Sequence, residues 1–208
     1  MSERELELLS RRTLAHYEAS AEAFEAGTRD HDVRQNYEAL LGAIEAAPPF
    51  TLLDFGCGPG RDLAYFRSLG HEAIGLDGCS RFVEMARTRT GCEVLQQDFL
   101  QLDLPIARFH GVFANASLFH VPTAALSTVL AALRASLRSR GVLFCSNPWG
   151  RDNEGFVGER YGAFHSPERW RALLSEAGFE ELTHYYRPSG RPRHQQPWLA
   201  VVSRVLAC

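Results

Sequence analysis

Leu53-Asp54-Phe55-Gly56-Cys57-Gly58-Pro59-Gly60 narrows the possible folds more than any other stretch of the chain. It follows a short apolar run, Thr51–Phe55, that reads as a strand. It precedes Arg61–Ser68, which reads as a helix. Glycine at alternate positions lets a turn come close to a ligand where a Cβ would clash. A ligand held there lies outside the carboxyl end of the strand, the usual place in open α/β sheets. The dinucleotide fingerprint spaces its glycines as GxGxxG, and the spacing here is GxGxG. A P-loop needs a lysine, and all 22 basic residues of this chain are arginines, so nucleoside triphosphate hydrolysis is excluded.

The rest of the chain supplies the frame for that turn. Short apolar strands are predicted at Thr51–Phe55, Ala73–Leu76, Glu93–Gln96, Gly111–Ala114 and Gly141–Ser146. Helices fit between them at Arg61–Ser68, Arg81–Thr88 and Thr123–Ser139, the last with Leu126, Val129, Leu130, Leu133 and Leu137 on one stripe. Such alternation implies a parallel sheet with helices on both faces. Two helices precede it, over residues 2–26 and Val33–Ala46, and Pro48-Pro49 ends the second. A Gly- and charge-rich stretch from Pro148 to Gly162 follows the fifth strand. A helix at Pro167–Ala177, capped by Gly178, leads to two further strands, Phe179–Arg187 and Trp198–Val205, which suit an antiparallel pair.

Size and charge set outer limits. A chain of 208 residues with 45% hydrophobic residues is expected to form one domain, with residues 1–47 as a helical cap. No apolar run is long enough to span a bilayer, and the charged N-terminus lacks the apolar core of a secretory signal. The net charge of −3 gives no attraction for polyanions, so nucleic acid is not an expected partner. The cysteines, Cys57, Cys79, Cys92, Cys145 and Cys208, are odd in number and contain no CxxC. Neither a disulfide framework nor a metal site is signalled, and a cytoplasmic location is expected.

Two acids stand at strand ends in register with the turn. Asp77 closes the second strand, and Asp98 closes the third. With them, the glycine turn resembles that of class I S-adenosylmethionine (SAM)-dependent methyltransferases, close in build to the tellurite- and thiopurine-type bacterial enzymes. The resemblance runs from about Tyr17 to Val205. It implies a Rossmann-like three-layer α/β/α sandwich, with seven strands in the order 3-2-1-4-5-7-6 and the last antiparallel. It implies SAM as cofactor and no metal. Asp54, Gly56, Cys57, Gly58 and Gly60 would surround its amino-acid end. Asp77 and Gly78 would meet the ribose, Asp98 and Phe99 the adenine, and Asn115, Ala116 and Ser117 the methionine chain. Tyr17 would reach the cofactor's carboxylate from the cap. Cys79 and Phe82 stand where the family often has serine and methionine, and Phe82 keeps an apolar face for adenine.

Acceptor residues are less determined. His120, after the fourth strand, would face the acceptor pocket as a general base, or else cap the helix after Pro122. Asp30 and His31 would enter the pocket from the break between the first helices, or else lie in a solvated loop with Asp32 capping the second helix. Trp149, Arg160, Tyr161, Phe164, Arg187 and Arg193 would form the far wall, where arginine suits an acidic group. The leading expectation is methyl transfer to a small-molecule N, O or S nucleophile. A macromolecular methyltransferase and a non-catalytic SAM-binding protein remain open.

Overall fold

The computed structural model describes residues 1–206, so Cys208 lies outside the described residues. The chain runs α1 (Glu3–Thr28), α2 (Arg34–Ala43), β1 (Thr51–Phe55), α3 (Arg61–Ser68), β2 (Glu72–Asp77), α4 (Ser80–Thr90), β3 (Val94–Gln96) and β4 (Phe109–Asn115). It continues through α5 (Thr123–Ser136), β5 (Leu137–Pro148), β6 (Asn153–Val157), β7 (Arg160–Phe164), α6 (Pro167–Glu176), β8 (Phe179–Arg187) and β9 (Trp198–Val205). A single 3-10 turn, Leu118–His120, follows β4.

Strands alternate their side chains between two apolar faces, and that alternation builds three layers. In β5, Leu143 and Cys145 pack toward α5 and α6, against Leu126, Leu130, Leu133 and Trp170. Their neighbours Val142 and Phe144 join Leu40 of α2, Leu63 and Phe66 of α3, and Val83 of α4 on the other face. Each such aliphatic or aromatic side chain contributes about 1.5–3 kcal/mol on burial. The seven-stranded sheet has the order β3-β2-β1-β4-β5-β9-β8. β1 through β5 pair in parallel, and β9 runs antiparallel to both β5 and β8. Counting only strands of this sheet, that is the expected 3-2-1-4-5-7-6 with a reversed last strand.

Two local readings need correction. The stretch after β5 is not irregular but forms the β6–β7 hairpin, whose connection is Gly158-Glu159 with Gly158 at φ +62°. Its first strand is mostly exposed and its second is only five residues long, with Tyr161, Gly162 and Ala163 buried, so neither shows an alternating apolar run, although a two-residue Gly turn was present to be read. Helix α5 stops at Ser136 rather than Ser139, because Leu137 already pairs with Phe109 of β4. Among the described residues no helix is long and apolar enough to cross a membrane.

Candidate active site

A cavity of about 720 Å³ opens at the carboxyl ends of the central strands, beneath α1. Its floor is the turn after β1. Gly56 sits at φ +81°, and a Cβ there would lie 2.5 Å from Ser117 Cβ and 3.2 Å from the Phe99 ring. The Gly56 and Cys57 N–H groups donate to the Leu76 carbonyl at 2.8 and 3.0 Å, tying the turn to β2. Gly60, at φ +87°, starts α3 and packs on the Ala86 backbone, where a Cβ would be 2.9 Å from Ala86 Cα.

The strand-end acids are held by N–H donors. Asp77 accepts from Gly58 N–H through Oδ2 and from Cys79 N–H through Oδ1, each at 2.9 Å. Burial pushes its carboxyl up to about 6, with the Cys79, Gly58 and Gly78 N–H groups pulling the other way. A carboxylate offers about four lone-pair sites, so Asp77 keeps acceptor capacity for a ligand's hydroxyls. Asp98 accepts from Leu100 N–H at 2.9 Å and from the Ser10 hydroxyl of α1 at 2.5 Å. Beside it, Phe99 stacks on Phe55 with ring centroids 4.2 Å apart. Asp54 is different. It is buried behind the turn, its Oδ2 has no hydrogen-bond partner, and burial raises its carboxyl well above the ordinary range.

Helix α1 roofs the cavity and is fastened on both sides. Toward α4, Glu18 accepts from Ser80 N–H, Glu22 pairs with Arg81 and Glu25 with Arg89. Toward the hairpin, Glu159 takes Arg12 in two bonds of 2.8 and 3.1 Å, and Tyr161 N–H donates to Thr13 Oγ1 at 3.0 Å. Between these fastenings, Leu14, Tyr17, Ala21 and Phe24 pack on Phe82 and Cys79.

Tyr17 and His120 form a fixed pair. His120 Nδ1 lies 2.6 Å from the Tyr161 carbonyl. A carbonyl only accepts, so Nδ1 carries the proton and Nε2 accepts from the Tyr17 hydroxyl at 2.8 Å. Burial pushes the imidazole down to about 4, so it is neutral near pH 7 with both nitrogens engaged. That is a weaker base than expected for this position. Burial raises the Tyr17 phenol, and the nearby Arg160 guanidinium opposes that rise.

The other end of the cavity is built by side chains from distant segments. Asn36 of α2 donates to Asn115 Oδ1 at 3.0 Å and accepts from the Tyr185 hydroxyl at 2.9 Å. Arg61 forks onto Asp62 at 2.6 and 3.0 Å and also reaches the Thr28 carbonyl at 2.9 Å. Arg187 donates to the Asp32 carbonyl.

The structure brings Tyr17, His31, Gly56, Cys57, Gly58, Asp77, Gly78, Phe82, Asp98, Phe99, Asn115, Ala116, Ser117, His120, Arg160 and Arg187 around one cavity. Asp54, Gly60 and Cys79 lie behind its wall as supports, and the exposed Asp30 does not line it. Trp149 instead donates its indole N–H to the Gln196 carbonyl at 2.7 Å. Arg193 covers the Trp149 and Tyr186 rings at 4.2 and 3.4 Å, outside the cavity. Tyr161 contributes backbone, its ring lying edge-on to Phe156, and Phe164 packs 6.2 Å from Phe119 without reaching the lining. Asp32 Oδ1 accepts from Arg34 N–H at 3.0 Å, but the N-cap of α2 is Val33, so Asp32 sits one residue before the expected cap position. Lining residues that the sequence did not single out include Ser10, Thr13, Asn36, Arg61, Asp62, Phe119 and Trp198. Arg61 and Asp62 adjoin Gly60 and were within reach of a reading. Ser10 and Asn36 sit mid-pattern in the two leading helices and carry no signal of their own.

Residues 52–141 match the methyltransferase domain family. The chain has the class I methyltransferase fold. Its fold is similar to that of the 1,6-didemethyltoxoflavin-N1-methyltransferase of Burkholderia thailandensis, solved with 1,6-didemethyltoxoflavin and S-adenosylhomocysteine. The TM-score is 0.78 at 23% identity, over 96% of this chain and 90% of that one. An uncharacterized 37.1 kDa protein of transposon TN4556 in Streptomyces fradiae is 31% identical over 160 residues, covering 68% of this chain and 46% of that protein. The malonyl-[acyl-carrier protein] O-methyltransferase of Pseudescherichia vulneris is 29% identical over 109 residues, covering 50% of this chain and 43% of the enzyme. The chain thus spans less than half the length of the curated relatives it matches.

S-adenosylmethionine is the cofactor that this fold implies, and the residues present fit it. The turn at Gly56 leaves a cradle that a Cβ would fill, Asp77 keeps free acceptor sites, and the buried Ser117 hydroxyl beside the cradle has no protein partner.

Proposed function

We propose that this methyltransferase domain transfers the methyl group of S-adenosylmethionine to a small-molecule acceptor lodged at the Arg187 end of the cavity. The observation that carries the reading is the continuity of one cavity from Ser10 and Asp98 to Arg187 and Trp198, roofed throughout by the leading helices. When bound, the cofactor supplies an electrophilic methyl group on a sulfonium with a thioether leaving group. Asp77 accepts the ribose hydroxyls, and Asp98 accepts the adenine amino group with Phe82 against the ring. The Asn115–Ser117 segment lies along the methionine chain. Residues 1–47 act as a cap that excludes water and holds the acceptor in line, where alignment is most of the catalysis. His120, neutral near pH 7, orients the Tyr17 hydroxyl rather than taking a proton. An acceptor that arrives with a free lone pair needs no base from the chain.

The net charge of −3 supports an acceptor other than nucleic acid. The four described cysteines are unpaired, three of them buried, which suits a reducing compartment such as the cytoplasm. The test uses SAM with a labelled methyl group and a bacterial extract split into metabolites, nucleic acid and protein. Label in the metabolite fraction is expected. Label in either macromolecular fraction, or S-adenosylhomocysteine binding without transfer to any fraction, would sink the proposal.

A further inference from the structure

Three arginines line the cavity, Arg61, Arg160 and Arg187. Asp62 neutralises Arg61 with a two-bond fork. Neither Arg160 nor Arg187 has an acidic partner among the described residues. Arg160 lies beside the Tyr17 hydroxyl, toward the part of the cavity assigned to the methionine chain. Arg187 is on the far side. One terminal nitrogen is spent on the Asp32 carbonyl, while its Nε is shielded from solvent and has no acceptor. The Asp32 carboxylate, the nearest acid in sequence to that contact, accepts from Arg34 N–H. The rest of the guanidinium is accessible and lines the cavity, so its terminal N–H groups are the donors that a ligand oxygen reaches. The two terminal nitrogens present the end of the guanidinium, an edge that takes a carboxylate in two parallel bonds.

The surroundings of Arg187 are flat and apolar. It pairs across the sheet with Trp198, at the mouth of β9. The Trp198 ring meets Phe119 edge-on at 6.3 Å, and both residues line the cavity. Phe119 is itself held by its N–H bond to Asn147 Oδ1 at 3.0 Å. A fixed aromatic corner beside a guanidinium that has no acidic partner among the described residues selects for shape and charge together.

We propose that the acceptor is a small aromatic carboxylate, its carboxylate taken by Arg187 and its ring laid against Phe119 and Trp198. This rests on the methyl-transfer reading and names the acceptor's chemical class. The experiment titrates matched acids and amides into the full chain saturated with S-adenosylhomocysteine, by calorimetry. The pairs are benzoate with benzamide, 2-naphthoate with 2-naphthamide, and quinoline-2-carboxylate with its carboxamide. At least one acid is expected to bind roughly tenfold or more tighter than its amide, the gain of a charge-assisted pair. Arg187→Gln is expected to erase that preference while leaving S-adenosylhomocysteine affinity unchanged. Arg187→Lys keeps the charge without the fork and is expected to retain only part of it, which also serves should the glutamine variant fail to fold. Acids and amides that bind alike, no binding by either, or a preference that survives Arg187→Gln would overturn the proposal. So would a preserved preference with weakened S-adenosylhomocysteine binding, which would give Arg187 to the cofactor instead. Failure of S-adenosylhomocysteine itself to bind would defeat the methyl-transfer reading, a separate result.

Discussion

At the Asp77 end of the cavity, positions are set by backbone. Peptide N–H groups hold both carboxylate oxygens, the turn hangs on the Leu76 carbonyl, and Gly56 and Gly60 sit at φ values a side chain would resist. At the Arg187 end, positions are set by side chains from α2, α3, β4 and β8, fastened by single hydrogen bonds and the Arg61–Asp62 ion pair. Backbone is shared by many sequences, and long side chains are not. The first end therefore suits a ligand common to a whole family, and the second a ligand particular to one protein. The difference also predicts that the two ends respond differently to substitution, pH and salt.

The largest effect should come from Gly56→Ala. Its Cβ would meet Ser117 at 2.5 Å on a left-handed backbone. A loss of about 3 kcal/mol is expected, or a melting temperature lowered by about 10 °C for a domain of this size. Calorimetric melting that matches the unaltered protein would show that the turn is softer than its geometry indicates. Next is Asp77→Asn, which should weaken S-adenosylhomocysteine binding about a hundredfold by removing charge-assisted bonds to the ribose, with the melting temperature maintained. Titration calorimetry that finds equal affinity would break the assignment of the ribose to Asp77.

The third effect is a pH dependence confined to the Asp77 end. With its carboxyl pushed up to about 6, Asp77 takes a proton as the pH falls through that value. S-adenosylhomocysteine affinity should then decline below about pH 6 and be flat above it, with the Asp77→Asn variant flat throughout. Stability moves the other way. A carboxyl with a raised folded-state pKa binds protons on folding, so this group favours the folded state more as the pH falls. A ligand-free melting curve followed across the same window separates the two. The smallest effect is expected from Arg12→Ala, which removes the exposed ion pair to Glu159. Melting should not change, because exposed pairs contribute little. Release of S-adenosylhomocysteine, followed by stopped flow, should become faster, and added salt should reproduce the effect in the unaltered protein through screening. An unchanged release rate in both would mean that the roof does not gate the cavity.

The same division explains what could be read in advance. The glycine turn, Asp77 and Asp98 are legible because backbone demands act on neighbouring residues, so the signal lies within a few positions. The strand order followed from the resemblance those residues carried. The hairpin over 153–164 was not legible as strands, since its first strand is mostly exposed and its second buries three consecutive residues rather than an alternating stripe. Asn36, Ser10 and Trp198 reach the cavity only through tertiary placement, which no local pattern encodes. His120 was found, but its chemistry was not, because the bonds to Tyr17 and Tyr161 that fix its tautomer come from 103 and 41 residues away.

Those separations bear on how the chain acquires its structure. Arg12 and Thr13 find their partners in the hairpin 147 and 148 residues later, and Gln35 and Asp32 meet β8 after 150 and 155. Contacts that close such long loops form late, since their chain entropy is lost before they are rewarded. During synthesis the apolar stripe of α1 finds Cys79 and Phe82 once α4 has been made, while Arg12 and Thr13 wait for the hairpin. Until β8 has been translated, the Arg187 side of the cavity stands open to any ligand or chaperone that reaches it.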